Sequence, residues 1–158
     1  MLTLADIALA DVVALLARHD LHLQLVPDRE TIPGSYWGEC EAGIIGTTVY
    51  ARSDTPVHSQ LHEAAHLIVL PPERRAQVHT DATDSVEEED AVCVLQALLG
   101  DELAGVGRNR VLADMDTWGY TFRLGSARAY FEQDAGAAWQ WLGARNLIPE
   151  GSELVASA

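Results

Sequence analysis

Apolar residues recur every three or four positions in two stretches of the chain, and this spacing is typical of amphipathic helices. The first stretch covers residues 4–19, and Thr3 stands where an N-cap residue belongs. The second stretch follows the run Ser53-Asp54-Thr55-Pro56, which combines capping side chains with a proline in the first turn. It continues to about Leu70, where two successive prolines end the predicted helix.

Between these helices the pattern changes to one that predicts strands. Residues 21–25 alternate between leucine and polar side chains, and this predicted strand ends at Pro27. Residues 35–42 and 44–51 predict two further strands, the second of them rich in β-branched and aromatic residues. We expect these two strands to form a hairpin joined near Gly43.

The second half of the chain is mainly helical in its pattern. Helices are predicted over residues 85–99 and 126–145, whereas residues 109–124 favour no single state. A helix, a small antiparallel three-stranded sheet and further helices, in this order, predict an α+β fold. We expect residues 1–149 to form one domain and residues 150–158 to be a loose C-terminal tail.

Composition and charge narrow the possible functions. The chain has 158 residues, of which 48% are hydrophobic and 22% charged, as in a globular domain. Its formal net charge of −14 argues against nucleic acid and against an anionic membrane surface, because both ligands require clustered basic residues. All 10 basic residues are arginines. The absence of lysine excludes a Walker A phosphate loop, a Schiff-base enzyme and a Ser-x-x-Lys acyl transferase.

The two cysteines and the N-terminus point to a cytoplasmic protein. Cys40 and Cys93 are too far apart in sequence to indicate a disulfide scaffold or a zinc knuckle, so we expect free thiols. The first residues carry acidic side chains and no basic region, unlike a secretory signal. No apolar run approaches the roughly 20 residues that a membrane-spanning helix requires.

The sequence His62-Glu63-Ala64-Ala65-His66 is an H-E-x-x-H motif inside the second predicted helix. Residues four apart lie on one face of a helix, so the two imidazoles can converge on one tetrahedral zinc ion. Zinc lowers the pKa of a bound water towards about 7, and Glu63 is placed to accept its proton as general base. His58 is four residues earlier, but about 12 Å separates it from His66 along the axis, so both cannot bind the same ion.

A catalytic zinc ion usually has a third protein ligand in addition to water. Glu88 aligns with the apolar positions Ala91, Leu95 and Leu98 of the next helix. A carboxylate in a buried stripe is costly without a partner, and a metal would supply one, so Glu88 is the favoured ligand. Glu87 and Glu89 stay as its main alternatives. The wider set of candidates is His79, Asp81, Asp84, Glu87, Glu88, Glu89 and Asp90.

With these motifs the chain resembles the ImmA/IrrE family of zinc metallopeptidases. The resemblance covers about residues 20–100 and includes the H-E-x-x-H helix and the E-x-x-A run Glu88-Glu89-Asp90-Ala91. The turn Pro33-Gly34-Ser35-Tyr36 and the strand over 44–51 are also similar to the segment before that family's active-site helix. The resemblance implies a zincin-like fold, in which the small sheet packs on the H-E-x-x-H helix.

The resemblance also implies an activity and a set of functional residues. It implies a zinc-dependent endopeptidase with His62, His66 and Glu88 as Zn²⁺ ligands and Glu63 as general base. Its substrate would be a narrow protein target such as a transcriptional repressor, and the acidity of the chain suits a basic, DNA-binding partner. The alternative is a non-proteolytic binding or antirepressor module with the same fold. Candidate donors for a transition-state oxyanion are His79, Tyr120, Arg123 and Tyr130.

Overall fold

A computed structural model of the chain describes residues 1–35, 38–80 and 85–148. The predicted tail over 150–158 lies outside these ranges, as do Tyr36 and the candidate ligands Asp81 and Asp84. The strands are β1 (His22–Leu25), β2 (Gly43–Ile45) and β3 (Thr48–Ala51). The α-helices in these ranges are α1 (Leu9–Ala17), α2 (Val57–Val69), α3 (Pro72–Arg75), α4 (Val86–Gly100), α5 (Arg108–Trp118), α6 (Ala127–Ala129) and α7 (Gly136–Ala144). This content confirms the α+β class.

The three strands form one sheet in the order β1-β3-β2, and the sheet is mixed. β2 and β3 are antiparallel, but β1 runs parallel to β3, with Leu23 opposite Val49. The prediction of an antiparallel sheet was therefore wrong for β1. Alternation of apolar and polar residues fixes which face of a strand is buried but not the direction of its neighbour. The long connection between β1 and β2 allows either direction.

The hairpin turn also lies three residues later than predicted. Gly46 and Thr47 form a two-residue turn between β2 and β3, and Gly46 has a φ of +61°. Tight hairpin turns need this left-handed conformation, which glycine adopts without a steric cost. The described part of the predicted strand over 35–42 is not a strand, since residues 39–40 form a turn.

The helical predictions hold for α2 and α4, whereas two other helices are interrupted. The first predicted helix consists of a 3-10 turn, Leu4–Asp6, and of α1, because Ile7 is extended. The predicted helix over 126–145 contains a π-helical turn, Tyr130–Asp134, between α6 and α7. Residues 109–124, for which the sequence favours no single state, contain most of α5, and this helix ends at Gly119 in the left-handed conformation. No helix in the described ranges is long and apolar enough to cross a membrane.

Helix α4 is the centre of the helical part of the fold. It packs mainly against α2, and also against α5 and α7. Every residue from Ala91 to Ala97 is buried, so the middle of α4 has no exposed face. Helix α2 in turn packs against β2 and β3. The contact between α2 and α4 therefore connects the sheet to the helical layer.

The outer edge of β2 is covered by a short segment that follows α3. The Gly46 backbone N–H donates to the Val78 carbonyl oxygen at 2.9 Å, and the Thr80 N–H donates to the Ile44 carbonyl oxygen at 2.9 Å. His79 forms the corresponding bridge to Ile45. Residues 78–80 thus lie beside β2 on the side opposite β3.

The loop before β2 folds tightly onto the start of that strand. The Ala42 N–H donates to Ser59 Oγ at 3.0 Å, which fixes the loop to α2. A Cβ atom on Gly43 would lie 2.1 Å from the Pro33 carbonyl oxygen and 2.4 Å from the Ser35 nitrogen. Only a residue without a side chain fits at position 43, because the atoms it would meet are backbone.

We expect Gly43→Ala to destabilise the protein by about 1–3 kcal/mol, because backbone must move to admit the methyl group. Urea denaturation followed by circular dichroism measures this free energy of unfolding. The matched control is Gly136→Ala at the start of α7, where a Cβ meets no atom within 4 Å. That variant should be at least as stable as the parent, since alanine is the better helix former. Equal stability of the two variants would contradict the expected clash at Gly43.

Candidate metal centre

The two histidines of the H-E-x-x-H motif face each other one turn apart on α2. Their Nε2 atoms are 3.2 Å apart, and their rings meet edge to face with centroids 4.8 Å apart. Both side chains are largely buried, with 14% exposure for His62 and 10% for His66. The prediction that the two imidazoles lie on one face of the helix is therefore confirmed, and their Nε2 atoms face the same small region.

Glu89, in the first turns of α4, is the third potential metal ligand. His62, His66 and Glu89 together are called the metal-ligand group below. Glu89 Oε1 lies 3.1 Å from His62 Nε2, and Glu89 Oε2 lies 3.1 Å from His66 Nε2. Helix α4 begins after Ser85, whose Oγ accepts from the backbone N–H of Glu88 and so caps the helix. The Glu89 side chain is 47% exposed, so this side of the group is open to solvent.

The structure corrects the choice of Glu88, since Glu89 is the residue that meets the histidine pair. Glu88 is half-buried and Glu87 is exposed, and neither belongs to the group. The choice of Glu88 assumes that α4 has one buried stripe. Because α4 is buried on all sides beyond its first turns, apolar neighbours do not identify the side that faces α2.

Two other candidates are also placed away from the histidine pair. His79 is exposed, and its Nδ1 lies 2.9 Å from Thr80 Oγ1. Asp90 is exposed as a residue, but its carboxyl is partly shielded from solvent. This partial burial raises the pKa of the carboxyl, and the charges of Glu89 and Asp134 raise it further. Neither residue belongs to the group of potential ligands.

The spacing of the three side chains fits a zinc ion. In a tetrahedral site with ligand distances of about 2.0–2.1 Å, neighbouring ligand atoms are about 3.3 Å apart. The two Nε2 atoms are 3.2 Å apart, and each lies 3.1 Å from a different Glu89 oxygen, Oε1 for His62 and Oε2 for His66. With one ligand atom taken from each residue, all three atoms lie within 4.8 Å of one another. Two imidazole nitrogens and one carboxylate are also a donor set found at catalytic zinc sites, where a fourth position stays open. The donor types and the close spacing of His62, His66 and Glu89 therefore suit such an ion.

The charges in the group are strongly coupled. Burial alone would raise the pKa of Glu89, but hydrogen bonds from both imidazoles hold that pKa far below its usual range. Burial alone would lower the pKa of His62, but the hydrogen bond to Glu89 and the charge of Glu63 leave the pKa raised. Glu89 and His62 thus stabilise each other's charged forms, and a bound cation would likewise stabilise the Glu89 carboxylate.

Glu63 lies next to His62 on α2 and is half-buried. Burial raises the pKa of its carboxyl, although the charges of His62 and His66 oppose this effect. A carboxylate with a raised pKa is a better proton acceptor near neutral pH than an exposed one. Glu63 is therefore a partly buried carboxyl that interacts electrostatically with all three members of the metal-ligand group.

A second acidic residue acts on the site from the loop before β2. Glu41 Oε1 accepts a hydrogen bond from Trp118 Nε1 at 2.9 Å. Burial raises the pKa of Glu41, and its charge contributes to the raised pKa of Glu63. Sequence reasoning missed Glu41, because its position in a loop gives no periodicity that would relate it to α2.

Behind His62 lies a buried polar network that sequence reasoning also missed. Gln96 Oε1 lies 2.9 Å from His62 Nδ1, and Gln96 Nε2 donates to the His58 carbonyl oxygen at 2.7 Å. The Tyr120 hydroxyl lies 3.3 Å from Gln96 Nε2 and 3.4 Å from His58 Nδ1. The available signal was Gln96 itself, a lone amide in the apolar run from Ala91 to Leu99.

Of the candidate oxyanion donors Tyr120, Tyr130 and Arg123, one lies at the site and two bind other groups. Only Tyr120 packs on the site, with its ring 5.7 Å from that of His62, but its hydroxyl lies in the network behind that residue. The Tyr130 hydroxyl donates to the Asp90 carbonyl oxygen at 3.1 Å. Arg123 is paired with Asp134 on the surface. In the described structure none of these residues has a donor directed at the histidine pair.

Comparisons with known proteins give no relative of this chain: no protein-family model, no curated protein and no solved structure matches it. The functional interpretation therefore depends on the geometry of the site.

We expect Glu89→Ala to lose most of the bound zinc, because it removes one of three ligands. Elemental analysis of purified protein should give about one zinc per chain for the parent and little for Glu89→Ala or His62→Ala. Glu87→Ala and Glu88→Ala are matched controls, because each removes a neighbouring carboxylate that lies outside the ligand group. Zinc loss in Glu88→Ala together with full retention in Glu89→Ala would contradict the assignment.

His58 gives an expected pH dependence of stability. It is 1% exposed, and burial lowers its pKa from 6.5 to about 4, with Asp114 opposing and His62 adding to the effect. The unfolded chain therefore binds more protons than the folded one between pH 6.5 and 4, and stability falls as the pH falls through this window. Between about pH 7.5 and about pH 5.5 the loss due to His58 should be roughly 1.4 kcal/mol.

The measurement compares the parent with His58→Phe by urea denaturation at these two pH values. Phenylalanine keeps a ring in the buried position but cannot be protonated, so the variant should lose less stability on acidification. Equal losses in the two proteins would show that His58 titrates similarly in the folded and unfolded chains.

Proposed function

We propose that this protein is a zinc-dependent metallopeptidase of the H-E-x-x-H type with a zincin-like active site. The observation that carries the proposal is the convergence of His62, His66 and Glu89: the two Nε2 atoms are 3.2 Å apart, and each lies 3.1 Å from one of the two Glu89 carboxylate oxygens. A structural zinc site usually has four protein ligands, whereas the group found among the described residues has three, a number that leaves room for water and substrate. The partly exposed side of Glu89 gives both of them access.

The chain's own residues supply the remaining functions. Zinc held by the three side chains would provide Lewis acidity towards a water molecule and a peptide carbonyl. Glu63, one residue after His62, accepts a proton from the attacking water at a carboxylate oxygen and then donates it to the departing amine. Burial keeps the pKa of Glu63 raised, which favours both steps near neutral pH.

The acidity of the protein favours a basic substrate. The chain has 24 acidic and 10 basic residues, and Glu41, Glu63 and Glu89 all act on the site. Such a field attracts positively charged segments and weakens with added salt. A DNA-binding protein such as a transcriptional repressor has the required charge, and it is the substrate class that we propose. A cytoplasmic location is consistent with this target.

A non-proteolytic binding module is the competing function. Such a module would keep the fold and the metal ligands and act on its partner by association alone. It needs no general base, so the two functions differ in their dependence on Glu63.

We expect Glu63→Gln to lower peptide cleavage by at least about 100-fold while zinc content stays near one per chain, because only the proton acceptor is removed. Incubation with a proteome-derived peptide library, read by mass spectrometry, measures cleavage whatever the sequence of the substrate. Glu87→Gln is the matched control, since it makes the same chemical change at an exposed residue. Undiminished cleavage by Glu63→Gln, or its absence in the zinc-loaded parent, would contradict the peptidase proposal.

A further inference from the structure

We propose that Gln96 is a positioning residue that holds a hydrogen on Nδ1 of His62 and thereby reserves Nε2 for the metal. The inference rests on the proposed zinc site and deepens it, because it assigns an orienting function to a residue outside the ligand set. It is carried by the hydrogen bonds of a fully buried side chain.

The first step is that the orientation of the Gln96 amide is determined. Its nitrogen lies 2.7 Å from the carbonyl oxygen of His58, which can only accept a hydrogen bond. The amide oxygen must therefore be the atom that lies 2.9 Å from His62 Nδ1. Gln96 has 0% exposure, so its side chain has no alternative partner in solvent.

The second step concerns the imidazole. Because an amide oxygen cannot donate, His62 Nδ1 must carry the hydrogen of this pair. Nε2, the atom that faces Glu89 and His66, is then the ring nitrogen left to bind a metal. Metal-binding histidines are commonly fixed in this manner by a partner on the other ring nitrogen.

The third step is that Gln96 is itself held on two sides. Its second amide hydrogen faces the Tyr120 hydroxyl at 3.3 Å, and that hydroxyl lies 3.4 Å from His58 Nδ1. Through Gln96, α4 therefore binds α2 at the His58 backbone and at the His62 ring. The same helix that contributes Glu89 as a ligand also orients the imidazole that Glu89 meets.

His66 provides an internal contrast. Its Nδ1 is buried and has no hydrogen-bond partner among the described residues. Among the described residues, therefore, only His62 has its Nδ1 held by a side chain. Loss of Gln96 should affect the zinc site through His62 and leave the local environment of His66 unchanged.

The test compares Gln96→Met with Gln96→Glu. Methionine keeps the length and apolar body of the side chain but offers Nδ1 only a weak thioether acceptor, so zinc affinity should fall by about 10–100-fold. A glutamate carboxyl can accept that hydrogen on one oxygen and, when protonated, donate to the His58 carbonyl from the other, so Gln96→Glu should recover part of the loss. Competition with a chromophoric chelator measures zinc affinity without any assay of activity. Gln60→Met is the matched control, because Gln60 is also 0% exposed but its amide has no partner among the described residues.

A second readout separates this inference from the proposed function. Nuclear magnetic resonance of the metal-free protein should show the His62 Nδ1–H as a signal protected from exchange in the parent and in Gln96→Glu, and lost in Gln96→Met. This result is expected even if the parent binds no zinc, in which case the metallopeptidase proposal fails alone. The inference is overturned if the signal persists in Gln96→Met, or if Gln96→Glu binds zinc as weakly as Gln96→Met. If Gln96→Met does not fold, the comparison of Gln96→Glu with the parent decides by the same two measurements.

Discussion

The contact between α2 and α4 is the constraint on which the candidate site depends. It brings a carboxylate from one helix to within 3.1 Å of two largely buried imidazoles on the other. Polar groups in such a place are tolerated only when they satisfy one another or bind an ion. The two largely buried imidazoles are therefore costly alone, and Glu89 gives both of their Nε2 atoms a partner. Any change in the rotation of α4 about its axis would separate the carboxylate from its partners.

That rotation also marks the limit of what the sequence could predict. His62, His66 and Glu63 were identifiable because their relationship lies within one helix, where the spacing fixes the geometry. The third ligand lies on a second helix, where adjacent residues point about 100° apart, so an error of one residue selects a different face. The apolar stripe favoured Glu88, but the surrounding helices bury α4 on every side. The stripe therefore carried no information about the face that meets α2.

For the sheet, too, the sequence predicted one property and not another: it located strands but not their direction or the hairpin turn. The alternating residues of β1 and the β-branched run of β3 were sufficient to locate these strands, since alternation reflects the burial of one face. The direction of β1 and the position of the hairpin turn depended on the connection before β2 and on the conformation of Gly46, which alternation does not encode. A better indicator of the site was Gln96. A single amide within an apolar helix has to be satisfied by a neighbour, and it marked the face of α4 on which Glu89 also lies.

The segment over 78–80 has a consequence for self-association. A sheet of three strands has two edges, and an edge with unpaired backbone groups can pair with another chain. Here the hydrogen bonds to Val78 and from Thr80 use the outer groups of β2. This edge is thereby closed to strand addition by another molecule. Within the described residues the remaining edge is β1, whose His22 and Gln24 place polar side chains on a strand that is only four residues long. Short polar edges are poor templates for aggregation, so the sheet next to the site is protected on one side by coverage and on the other by composition.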